Sequence, residues 1–126
     1  MLTEQRKNIR FLALDNIIVV LRNDLTKIGE VKDISKGGLS FEHIYGRDSE
    51  GELSRKTLFL WANEFSMSKV PCKVIYDILM PTPEEFESLA IRFITRRCGV
   101  EFEALIEDQM AQLDFFLKTY TKGTAP

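Results

Sequence analysis

The chain has 126 residues, 44% of them hydrophobic and 29% charged, with a formal net charge of -2; that is enough for one buried core in an ordinary globular protein, and the mildly acidic balance argues against a general polyanion or nucleic-acid binder. Cys72 and Cys98 sit in apolar sequence and read as buried reduced thiols, and His43 as the one histidine leaves no metal-ligand spacing. The N-terminus lacks an apolar signal-peptide core and the longest aliphatic run, Ile17 to Leu21, falls far short of the roughly 20 residues that span a bilayer, so a cytoplasmic chain with no transmembrane segment is expected.

Residues 1–10 are polar and aperiodic, with Arg6, Lys7 and Arg10 set against Glu4, and read as a flexible positive arm. Phe11 to Arg22 is strand-like, and Asn23-Asp24 marks a turn. Ile28 to Ile34 alternates weakly, with Ile28, Glu30, Lys32 and Ile34 on one parity and Gly29, Val31 and Asp33 on the other. Ser35-Lys36-Gly37-Gly38 is a corner, after which Leu39, Phe41 and His43 share one strand face. His43, at that strand's end, is expected to be exposed or capping, with no catalytic role.

Tyr45 to Lys56 reads as a loop, Thr57 to Ala62 as a short buried strand with Trp61 in the core or at a barrel rim, and Asn63 to Lys69 as a turn. Val70 to Met80 is a long strand with Pro71 at an edge or first-residue position. Pro81 to Glu85 breaks the chain, and a strand from about Leu89 runs to Phe102, with Gly99 predicting a bulge. Leu105 to Tyr120 predicts a helix whose apolar stripe is Ile106, Met110, Leu113, Leu117 and Tyr120, widened by Leu105 and Phe116 and stopped by Gly123. That stripe packs on the sheet; its spacing also fits a homodimer seam. No strand–helix–strand alternation occurs, so the fold class is all-β: an antiparallel β-barrel at 11–103 with an appended C-terminal α-helix at 105–121, in a single domain over 1–126.

Two runs carry the chemistry. Gln5-Arg6-Lys7-Asn8-Ile9-Arg10 places two guanidiniums four residues apart, and each is a planar fork suited to phosphate oxygens or to the O6/N7 edge of guanine. Asp33-Ile34-Ser35-Lys36-Gly37-Gly38 places a carboxylate able to accept from base N–H groups, a small hydroxyl, and a glycine where backbone and ligand come close. Together they point to a pocket for a small anionic purine ligand. The same corner is also an ordinary hairpin turn, and the turn chemistry does not separate the two readings.

In order and spacing these runs resemble the signature of the PilZ domain family, RxxxR followed by [D/N]xSxxG: Arg6 and Arg10 match the first part, and Asp33, Ser35 and Gly38 the second. Gly99-Val100-Glu101-Phe102 resembles the last strand of such domains. The resemblance implies a six-stranded antiparallel barrel whose ligand loop precedes the first strand. It also implies a cyclic di-GMP receptor that acts on an unknown downstream protein in motility, biofilm or exopolysaccharide control. Arg6, Arg10, Asp33, Ser35 and Gly38 would be the ligand-binding residues, with the arm closing on the dinucleotide. Gln5, Arg96 and Arg97 are left without an assigned role. No nucleophile–base pair, carboxylate dyad, catalytic residue, metal site or cofactor is expected. The alternative is a PilZ-like adaptor that contacts proteins without a nucleotide.

Overall fold

The computed structural model of the chain describes residues 8–22, 26–44, 55–80 and 95–126. Its elements in order are β1 (Phe11–Ala13), β2 (Ile18–Arg22), β3 (Thr26–Ile34), β4 (Gly38–Ile44), β5 (Arg55–Ala62), β6 (Phe65–Leu79), β7 (Thr95–Phe102), α1 (Glu107–Thr119) and β8 (Thr121–Thr124). The strands run in the order β2-β5-β6-β7-β4-β3-β1-β8, and β2 also pairs with β3. That extra ladder, Ile18↔Glu30 to Arg22↔Thr26, closes a six-stranded antiparallel barrel. β3 is long enough to serve both the barrel and an outlying pair: its first half meets β2, and its last residues meet β1, which in turn carries β8.

Alternation fills the barrel. Val19 and Leu21 of β2, Leu58 and Leu60 of β5, Leu39 and Phe41 of β4, and Cys98 and Val100 of β7 point inward and are buried. The strand predicted across Phe11–Arg22 is broken at Asp15-Asn16, where Asn16 takes φ 67° and turns the chain between β1 and β2; asparagine tolerates that left-handed region. β6 begins at Phe65, within the stretch predicted as a turn, because the reversal is confined to the residues around Asn63 (φ 51°). Pro71 lies inside β6, opposite Thr57, two residues after Lys69 at φ 54° in a bulge. Lys56, placed in a loop by its composition, is buried in β5. The Asn23-Asp24 turn, the Pro81–Glu85 break, the Leu89–Ile94 strand and most of the Tyr45–Lys56 loop lie outside the described residues.

α1 spans Glu107–Thr119, and its buried face is Gln109, Leu113 and Phe116. The predicted stripe is thus rotated: Ile106 and Met110 are 62% and 48% exposed, while Phe116 is fully buried beside Phe65 and Tyr120. Gln109 fixes that rotation. Its Oε1 accepts from the Ile106 amide at 3.2 Å, and its Nε2 donates to the Ser68 and Lys69 carbonyls of the β6 bulge at 3.3 and 3.2 Å. Gly123 does not stop the helix. It sits at φ 65° within β8, which folds back onto β1. Trp61 faces out, 44% exposed and stacked on Phe59 with centroids 6.0 Å apart. Among the described residues no helix is long and apolar enough to cross a membrane.

Candidate functional site

The predicted corner is a tight turn from β3 to β4. The Ser35 amide donates to the Gly38 carbonyl at 2.8 Å, the Gly37 amide donates to Ser35 Oγ at 3.0 Å, and Ser35 Oγ donates to the Gly38 carbonyl at 3.4 Å. Gly38 is required by the protein itself: a Cβ there would collide with the Val100 carbonyl oxygen of β7. Ladder bonds hold that oxygen in place, so the strand pair could not accommodate a side chain without moving apart.

Strand register carries the site away from the turn. Asp33 of β3 pairs with Ser40 of β4, Ser40 with Gly99 of β7, and Gly99 with Tyr76 of β6. The flanking rows, Ile34–Leu39–Val100–Val74 and Val31–Phe41–Cys98, are buried in the core. Successive residues alternate faces, so the row between them lies on the outside of the barrel. Two bulges bracket it, one between Val31 and Asp33 on β3 and one between Val74 and Tyr76 on β6. Bulges re-aim side chains, and these two set a carboxylate and a phenol at opposite ends of one row. Gly99 lies between, with the Tyr76 ring resting where its Cβ would be. The bulge predicted at Gly99 is therefore present, but on the partner strand.

A cavity of about 340 Å³ opens over this row, lined by Arg10, Asp33, the Ser35–Gly38 turn, Ser40, Tyr76 and Gly99, with Asn8, Ile75 and Glu101 at its margin. Ser40 Oγ is buried and has no hydrogen-bond partner among the described residues. Arg10 reaches the cavity from the residue before β1, and its carbonyl accepts from the Ala125 amide at 2.8 Å, so the tail after β8 anchors the backbone of the arginine. Burial raises the Tyr76 hydroxyl pKa above its ordinary value; the Asp33 carboxylate adds to this, while Arg10 and Arg97 oppose it.

Of the predicted ligand residues, the structure brings Arg10, Asp33, Ser35 and Gly38 around one cavity. Arg6 and Gln5 lie outside the described residues. Arg96 and Arg97, adjacent in sequence, part company. Arg96 turns to Asp77, donating from Nε to Oδ1 at 2.7 Å and from Nη2 to the carbonyl at 2.6 Å. Arg97 faces outward and donates to Glu42 at 2.6 Å. His43 is buried, not exposed, with Nε2 3.4 Å from Asp77 Oδ1. Tyr76 and Ser40 are the site residues missing from the sequence reading. The signal for them was the pairing of a strand glycine with an aromatic two strands from the motif, which needs the register to be visible.

A second cavity, of about 440 Å³, shares Arg10, Asp33 and Tyr76 with the first, and its wall carries both charges, with Lys32, Arg97 and Lys122 beside Asp15 and Glu30. Among the described residues no group of three or more His, Cys, Asp or Glu could hold a metal ion.

No family model matches the chain, and no curated protein matches it. Solved structures do. The PilZ domain of YcgR from Escherichia coli, solved with c-di-GMP, superposes with a TM-score of 0.69 at 15% identity, covering 91% of this chain and 92% of that one. The K. pneumonia MrkH–c-di-GMP complex gives 0.68 at 15% identity, covering 93% of this chain and 52% of MrkH. The Bacillus subtilis inhibitor of motility, MotI/DgrA, gives 0.63 at 17% identity, covering 92% and 51%. The chain spans about half the length of the latter two. The fold is that of a PilZ-like domain, as the motif resemblance implied.

Proposed function

We propose that this protein is a cyclic di-GMP receptor domain, in which Arg10 and Arg6 close on a ligand seated against Asp33, Ser35 and Gly38 and the altered surface is read by a partner protein. The observation that carries this reading is the convergence of Arg10, Asp33 and the Ser35–Gly38 turn on one open cavity beside the row of Ser40, Gly99 and Tyr76. The YcgR and MrkH structures, of the same fold, contain c-di-GMP, which supports the ligand class. The Arg10 fork can bond phosphate oxygens or a guanine edge bidentately. The Asp33 carboxylate can accept from guanine N–H donors, and the backbone around Gly38 leaves room for close approach. Binding changes no covalent bond. Signalling arises from a difference in partner affinity between the ligand-free and ligand-bound states.

Titration calorimetry with cyclic di-GMP, using GTP and cyclic di-AMP as controls, tests the reading. Loss of a charge-assisted hydrogen-bonding group costs about 1.5–3 kcal/mol, so Arg10→Ala and Asp33→Ala should each weaken binding by at least about tenfold. The far-ultraviolet dichroism of both variants should stay that of the parent. A flat isotherm for the folded parent chain sinks the receptor reading and leaves a nucleotide-independent adaptor.

A further inference from the structure

The β3–β4 turn carries two glycines in a row, and the strand packing accounts for one of them. Gly38 has the Val100 carbonyl where its Cβ would be, whereas the atoms nearest to a Cβ on Gly37 belong to side chains. Such a Cβ would stand 2.7 Å from Asn8 Nδ2, and 3.8 Å from Asn8 Cγ and from Ser35 Oγ. The backbone does not ask for glycine either, since Gly37 does not take a positive φ. Its place is fixed on both sides: the amide donates to Ser35 Oγ at 3.0 Å, and the carbonyl accepts from the Phe102 amide of β7 at 2.8 Å. The missing side chain therefore serves the close approach of Asn8, on a seat that is itself held.

Asn8 and Arg10 both line the first cavity, while Ile9 between them is 66% exposed, as in an extended chain whose alternate residues face opposite ways. Arg10 is thus held twice. Its own carbonyl accepts from the Ala125 amide at 2.8 Å, and two residues earlier the Asn8 carboxamide rests against Gly37. A clamping side chain set in place before the ligand arrives loses less conformational freedom on binding, which raises affinity without adding a contact.

We propose that Asn8 is a positioning residue of the ligand site and Gly37 its seat: the carboxamide, packed on the bare Cα of Gly37, ties the arginine segment to the β3–β4 turn and keeps Arg10 set toward the cavity. Both residues fall on unspecified positions of the two-part motif, Asn8 within RxxxR and Gly37 within DxSxxG. The proposal rests on the receptor reading and adds to it the contact through which the two halves of the motif meet.

Calorimetry with cyclic di-GMP on the full chain, its two single variants and their combination tests this. Asn8→Ala removes the carboxamide, and Gly37→Ala pushes it off its seat. The displaced atom is the end of a flexible side chain, so both variants should keep the melting temperature of the parent. Each should weaken binding by about three- to tenfold, the cost of ordering one freed side chain. In a chain that already lacks the carboxamide, Gly37→Ala should cost nothing more, so the double variant should bind as Asn8→Ala does. Losses that multiply place the effect of the new methyl group on the ligand itself and overturn the proposal. So does an Asn8→Ala chain that binds like the parent, or a loss of affinity that tracks a loss of melting temperature; each of these leaves the receptor reading standing. A folded parent chain that gives no heat overturns the receptor reading, and this inference falls with it.

Discussion

The hydroxyl of Ser35 closes the β3–β4 turn, and the bare Cα of Gly38 lets β4 pack on the Val100 carbonyl, so two residues of the ligand motif also build the turn that carries them. Such positions are legible in sequence because local chemistry dictates them: a short hydroxyl and a glycine at a corner read the same way in a string as in space. Tyr76 is the contrary case, since nothing in its neighbours along the chain announces that it will lie over Gly99. The cysteines were legible from their apolar context, and both are free thiols in the core. Burial, more than any neighbouring charge, pushes Cys72 and Cys98 from the ordinary 9.0 up to about 12. Folding therefore favours their protonated forms. The stability tied to them is complete below about pH 9 and is lost as pH climbs toward about 12. Iodoacetamide at pH 8.5 should leave both thiols unmodified in the native chain and alkylate both after denaturation, as read by mass spectrometry; rapid native labelling would contradict the packing.

Strand boundaries in the sequence reading drifted wherever a bulge broke the alternation. Val31 and Ile34 are both buried although they lie on opposite parities, because the irregularity between Val31 and Asp33 resets the face. The helix stripe was misplaced for a related reason: apolar spacing alone gave no weight to Gln109, whose three hydrogen bonds turn α1 toward β6. Gln109→Glu would set a carboxylate against two carbonyl oxygens. It should cost about 2–4 kcal/mol in urea unfolding, whereas Met110→Gln on the exposed side should change little. The β3, β6 and β7 strands are also joined by a charge cluster. Desolvation raises the Asp77 pKa, but hydrogen bonds from Lys27, at 2.6 Å, and from Arg96 outweigh it and hold the carboxyl below its ordinary value. A depressed carboxyl stabilises the fold above its unfolded pKa, and that contribution disappears as pH falls through the folded value. Stability should therefore decline below about pH 4, and Asp77→Asn should flatten the decline. The same variant should lose about 3–5 kcal/mol at pH 7, because its cations stay buried with a weaker partner. An acid-unfolding profile identical to that of the parent would count against the cluster.

At the scale of the molecule, the antiparallel barrel with one helix followed from the periodicities and from the lack of βαβ alternation, and the structure has that form. What escaped was β8, a short run of Thr, Lys and Gly with no apolar signal, which exists because β1 offers it a partner more than a hundred residues earlier in the chain. The residues flanking β8 frame β1 at both ends, the Leu14 amide donating to the Tyr120 carbonyl at 2.9 Å and the Ala125 amide to the Arg10 carbonyl at 2.8 Å. A chain ending at Tyr120 should keep the barrel and most of its thermal stability. It should bind cyclic di-GMP several-fold more weakly, since a lost backbone hydrogen bond is worth about 0.5–1.5 kcal/mol and Arg10 would hang from an untethered strand; calorimetry on the shortened chain checks this. The same tether has a practical use. A small environment-sensitive dye coupled beside Ala125 would sit next to the peptide hydrogen bond that holds the Arg10 backbone, so under the receptor reading proposed above its emission should change when unlabelled cyclic di-GMP is added.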